Sequence, residues 1–84
     1  MERWFIDMQF RRLETALVNT CLPTEDGSSR LAQAQEFMLM QIDSRDRVQF
    51  KHCDTRNYLY LNPDDSISIP VGSVFHLGFF DRVN

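Results

Sequence analysis

The stretch over residues 47–70, RVQFKHCDTRNYLYLNPDDSISIP, sets the tightest limit on what this chain can fold into. It holds three short runs of alternating character, separated by two turn signals. Successive side chains of a strand point to opposite faces, so alternation reports which face is buried. Val48, Phe50 and His52 share one face of the first run, and Gln49, Lys51 and Cys53 the other. Leu59 and Leu61 oppose Tyr58 and Tyr60 in the second run; Ile67 and Ile69 oppose Ser66 and Ser68 in the third. Asp54-Thr55-Arg56-Asn57 joins the first two, with Asn57 as the residue that tolerates a left-handed backbone. Asn62-Pro63-Asp64-Asp65 joins the next two, where Pro63 presets φ and Asn62 can bond back to the backbone. Connections this short imply an antiparallel meander, because parallel neighbours need a long crossover. A further strand is expected over 73–80, after Pro70-Val71-Gly72, with Phe75, Leu77 and Phe79 alternating against Val74, His76 and Phe80.

The two faces of that meander are unequal. One collects Val48, Phe50, Leu59, Leu61, Ile67, Ile69, Phe75, Leu77 and Phe79 and reads as core. The other, with Lys51, Cys53, Tyr58, Tyr60, Ser66, Ser68, Val74, His76 and Phe80, is amphipathic and is a candidate binding surface. The plain alternative is the ordinary wet side of an antiparallel sheet, or a face half covered by a tail.

Residues 2–21 read as an amphipathic helix. Ile6, Phe10, Leu13, Leu17 and Cys21 recur at spacings of four, three, four and four and form one stripe to pack on the sheet. Pro23 stops the helix. The same periodicity puts Trp4 and Met8 nearly opposite the stripe, flanked by Met1 and Phe5. A helix with one sheet to cover needs no second apolar patch, and contiguous exposed apolar surface often marks an interface. Trp4, Phe5 and Met8 are therefore candidate partner contacts; the competing reading is that a later segment folds over them. Residues 23–29 form a polar loop, too short to separate domains. Residues 30–43, RLAQAQEFMLMQID, are ambiguous: Leu31, Ala34, Met38 and Ile42 fit a helical face, while 37–43 also fits a strand turning into Val48. The expected division is a helix over 29–36 and a strand over 37–43.

The fold class expected is α+β: one or two helices packed on a four- or five-stranded antiparallel sheet, curling toward a small half-barrel. Eighty-four residues make one domain with a modest core, for which dimerisation is a natural supplement. The net charge of −3 argues against broad, sequence-independent nucleic-acid binding. Residues 1–44 carry four basic and seven acidic groups, and residues 45–84 five of each. Two cysteines, Cys21 and Cys53, without metal-type spacing suit free thiols in a reducing cytoplasm. No stretch has the length of a membrane span or the form of a signal peptide.

Motifs for chemistry are sparse. The three glycines are scattered, and no phosphate loop, nucleophile elbow or metal doublet is present, so no cofactor, no metal and no enzymatic activity are expected. His52 lies in line with Val48 and Phe50 and reads as a core-edge histidine. A Cys53–His76 nucleophile pair requires neighbouring strands and has no other support. Asp64 and Asp65 read as a solvated hairpin tip rather than a calcium loop. Arg45, Arg47, Lys51 and Arg56 near Tyr58 and Tyr60 suit single-stranded nucleic acid, where bases stack and phosphates pair. Asp46 and Asp54 reduce the local balance over 45–56 to +2.

The run VQFKHCDTRNYLYLNPDDSI is similar to one lobe of β-trefoil proteins of the fascin or MIR kind, through Val48, Phe50, His52, Tyr58 and Leu59. A trefoil needs three lobes and this chain has room for one, so neither the family nor its ligands are carried over. The function expected is a non-enzymatic protein-interaction module: a cytoplasmic inhibitor, adaptor or assembly subunit, homodimeric, of the kind phages and mobile elements encode. Its contacts are Trp4, Phe5, Met8, Tyr58, Tyr60 and His76. Single-stranded nucleic-acid binding is the alternative.

Overall fold

A computed structural model of the chain describes residues 1–20 and 30–70. Two helices, α1 (Arg3–Thr20) and α2 (Arg30–Ala34), precede four strands: β1 (Phe37–Ile42), β2 (Val48–His52), β3 (Tyr58–Leu61) and β4 (Ile67–Ser68). The strands form one antiparallel sheet in the order β1-β2-β3-β4. This is the expected α+β meander, and the expected division of residues 30–43 holds within two residues at each end. The strand expected over 73–80, on which five strands and a half-barrel depend, lies outside the described residues.

Helix α1 starts where the Glu2 carbonyl accepts the N–H groups of Phe5 and Ile6, so Glu2 is its cap residue. Leu13, Ala16 and Leu17 are buried against Ala34, Phe37, Val48, Phe50, Leu59 and Leu61. Phe10 packs edge-on to Phe50 with ring centroids 5.3 Å apart. Ile6, expected in the stripe, is only half-buried, and Cys21 lies outside the described residues. Ala16 and Gln9 are buried instead. Alanine and glutamine carry weak periodic signals, but both sit within 60° of the stripe on a wheel of about 100° per residue.

A polar clamp fixes the helix against the far hairpin. Arg12 donates from Nε to Asp65 Oδ1 at 2.8 Å and from Nη2 to the Asn62 carbonyl at 3.0 Å. Its Nη1 donates to Gln9 Oε1, which gives the buried amide a partner.

Strand β1 explains its own ambiguity. Leu39 pairs with Phe50 and Gln41 with Gln49, so Met40 is an extra residue, a β-bulge. Phe37 and Leu39 pack on the core before the bulge; after it Ile42 pairs with the buried Val48 and so takes the same side of the sheet, but at its edge, where it stays 40% exposed. A strand with two alternation phases cannot show one clean period.

The three turns use no glycine. Asp43–Arg47 and Asn62–Ser66 close the same way: Asp46 N–H donates to the Asp43 carbonyl and Asp65 N–H to the Asn62 carbonyl. Asp46 and Asp65 take positive φ (59° and 69°) at the last loop position, which suits aspartate better than most residues. The β2–β3 turn departs from expectation. Arg56, not Asn57, takes the left-handed conformation, at φ 61°, while the Asn57 carbonyl accepts the His52 N–H. Asn62 also differs: its amide bonds the Ser66 and Ser68 hydroxyls rather than the backbone. An arginine at positive φ is held against its preference by the closing pair. We expect Arg56→Gly to raise unfolding free energy by about 0.5–1 kcal/mol. Urea denaturation would read it; a loss of stability would contradict the strain argument.

Candidate interaction surfaces

One surface is the outer side of α1. With Leu13 and Leu17 turned into the core, Trp4 stands 63% exposed, with Met1 at 68% and Met8 at 42%. Among the described residues nothing folds over the indole, yet it is held in place. Its Nε1–H donates to Glu2 Oε2 at 2.6 Å, and Phe5 meets it edge-on at 5.8 Å. Phe5 itself is half-buried and acts more as a support than as a free contact. A fixed indole loses little rotamer freedom on binding, which is what makes aromatic anchors effective.

The second surface is the open face of the sheet. Register places Met38, Lys51 and Tyr58 in one row across β1–β3, and Gln41, Gln49, Tyr60 and Ser68 in the next across β1–β4. The Arg47 guanidinium lies 4.1 Å from the Tyr60 ring centre and the Lys51 ammonium 5.9 Å from that of Tyr58. The Gln49 amide donates to the Tyr60 hydroxyl at 3.3 Å. Both tyrosines are half-buried. Of the predicted partner contacts, Tyr58 and Tyr60 thus lie together on this face, Trp4 and Met8 lie together on α1, and His76 lies outside the described residues.

The basic residues do not form one patch. Arg45 sits in the β1–β2 turn and Arg56 in the β2–β3 turn, at opposite ends of β2. Arg47 is paired to Asp43 at 2.7 Å. Only Arg47 and Lys51 reach the tyrosines.

His52 is buried, as its alternation phase requires. The Thr55 N–H donates to its Nδ1 at 3.2 Å, which leaves the ring proton on Nε2, 3.1 Å from Glu36 Oε1. Phe37 meets the ring edge-on at 5.0 Å. The histidine therefore ties the start of β1 to the β2–β3 turn. Cys53, next to it, is exposed and forms no disulfide. Asp64 and Asp65 are each engaged, with Ser66 and Arg12 respectively. Among the described residues no group of three His, Cys, Asp or Glu side chains is placed to hold a metal ion. No described helix is long and apolar enough to cross a membrane.

A feature the sequence did not announce is an open groove of about 340 Å³ beside α1, lined by Asp7, Phe10, Arg11, Ala34, Gln35 and Phe37. It joins residues almost thirty positions apart, so no local pattern could have revealed it.

Two carboxyls titrate low. Desolvation pushes Asp43 up, but the Arg47 and Arg45 N–H bonds and the Arg47 guanidinium outweigh it and hold it below the ordinary 3.8. The Ser66 hydroxyl and N–H lower Asp64 likewise. Both folded values lie below the unfolded ones, so the unfolded chain takes up these protons first. Their stabilisation is complete above the unfolded value of 3.8 and is lost as pH falls through the lowered values. The stability deficit of Asp43→Ala and Asp64→Ala should therefore be full at about pH 6 and shrink toward zero near pH 2. Thermal unfolding across that range would measure it, and a deficit independent of pH would contradict the assignment.

No family model, curated protein or solved structure matches the chain.

Proposed function

We propose that the chain is a non-enzymatic protein-interaction module, a small inhibitor, adaptor or assembly subunit working in the cytoplasm. The observation that carries this reading is Trp4: 63% exposed, on the side of α1 away from the core, and oriented by Glu2 and Phe5. With Met1 and Met8 the indole forms a contiguous exposed apolar patch, the kind that marks interaction sites, and tryptophan is among the residues enriched in interface hot spots. Met8 extends the contact along the helix, while Tyr58 and Tyr60 supply a second surface on the sheet; His76, proposed with them from its sequence pattern, lies outside the described residues. Carriage by a phage or mobile element fits a compact acidic domain without a catalytic constellation, by analogy only.

Single-stranded nucleic-acid binding is supported by one observation, the cations over Tyr58 and Tyr60. Two others weigh against it: Asp43 neutralises Arg47, and Arg45 and Arg56 lie at opposite ends of β2.

A tagged pull-down from lysate, with and without nuclease, separates the two. The interaction reading expects specific proteins to survive nuclease and to be lost with Trp4→Ala, whose folding free energy should change by only about 0.5 kcal/mol. Loss of all bound material on nuclease treatment would move the function to the tyrosine face. A Trp4→Ala chain that unfolds would show the indole to be part of the core and end the proposal.

A further inference from the structure

We infer that the partner of the outer face of α1 is a second copy of this chain, with Trp4 of each protomer seated in the groove beside α1 of the other. The inference rests on the interaction-module reading and names its partner. It begins with spacing. Met1, Trp4, Met8, Arg11, Thr15 and Val18 follow one another at three, four, three, four and three residues, and all are exposed. That is the seam period of paired helices, on the side of α1 that the core leaves unused.

An antiparallel two-fold pairing centred near Ile6 sets Trp4 against Met8 of the second copy and Met8 against its Trp4. The contact is self-complementary, as closed dimers require, and a thioether against an indole is a favourable pair. The same rotation carries each indole toward the groove, whose α1 wall is Asp7, Phe10 and Arg11. Its Phe10, Ala34 and Phe37 are apolar, and its volume of about 340 Å³ leaves room for an indole. The indole N–H already has its acceptor in Glu2, so seating it strands no donor.

Charge sets the orientation. Trp4 is flanked by Glu2 and Arg3, and the groove is rimmed by Arg11 and Asp7. The antiparallel arrangement brings Glu2 to Arg11 of the second copy and Arg3 to its Asp7. Within one protomer, neither Asp7 nor Arg11 is engaged in an ion pair among the described residues. Glu2 holds the indole through Oε2, which leaves Oε1 for a guanidinium. A parallel pairing would instead set Arg11 against Arg11, a repulsive contact.

Sedimentation equilibrium of the full chain tests this. An interface at the small end of specific complexes dissociates between about 1 µM and about 1 mM, so that range is the one to cover. The wild type is expected to be a monomer–dimer system. Trp4→Ala should weaken the dimer about 30-fold or more. Asp7→Arg should weaken it about tenfold, and adding Arg3→Asp, which leaves the Glu2–indole bond intact, should return it to within about threefold of wild type. Circular dichroism checks that each variant is folded. A wild type monomeric at the top of the range, a dimer indifferent to Trp4→Ala, or a charge swap without recovery would each overturn the inference. A monomer that still captures another protein through Trp4 would overturn the self-pairing alone. A Trp4-dependent dimer that captures nothing else would support the self-pairing and end the inhibitor and adaptor reading.

Discussion

Everything in this structure depends on burying one stripe of α1 against one face of a small sheet. Leu13 and Leu17 are fully enclosed by Phe50, Leu59 and Leu61, and no second layer among the described residues covers the other side of either element. In a chain of this length such burial is the dominant favourable term, and the native state is more stable than the unfolded one by only about 5–15 kcal/mol. A single two-layer core also has a geometric consequence. It leaves two faces outside, the back of the helix and the open face of the sheet, and these are the surfaces where function can reside.

The two outside faces differ in kind. On the sheet, Arg47 and Lys51 lie over the tyrosine rings and Gln49 bonds the Tyr60 hydroxyl, so the polar and aromatic groups there satisfy one another. On the helix, the Glu2 bond satisfies the only polar atom of the Trp4 side chain and leaves the rest of the indole in water. The first arrangement is largely self-contained. The second is an apolar group held in a fixed position, and an open groove of about 340 Å³ lined by Asp7, Phe10 and Arg11 lies along the same helix. The turns and the Arg12 clamp matter to function indirectly. Arg12 ties α1 to the β3–β4 hairpin, so the outer face of the helix is presented on a fixed scaffold.

Much of the architecture was legible because it rests on local periodicity. Val48, Phe50, Leu59 and Leu61 alternate cleanly, and they are the buried residues of β2 and β3. Leu13 and Leu17 recur at helical spacing and are buried too. The misses have physical causes. Asn57 looked like the left-handed residue of its turn, but hydrogen-bond closure by His52 and Asn57 set the loop length and pushed Arg56 into that position. The bulge at Met40 erased the alternation of β1. The buried Gln9 depends on Arg12, and Arg12 depends on a hairpin fifty residues away. Of the site, the exposure of Trp4 and Met8 followed from the wheel, whereas the separation of Arg45 from Arg56 followed only from how β2 runs between its turns.

The central claim is that the fold is complete without Trp4, which stands in solvent as an anchor. Trp4 is the only tryptophan of the chain, so its fluorescence reports on that claim without ambiguity. In dilute protein, below any self-association, the account predicts solvent-type emission, free access to acrylamide, and little change when urea unfolds the chain. Shielded, blue-shifted emission that moves red on unfolding would place the indole in the core and contradict the account.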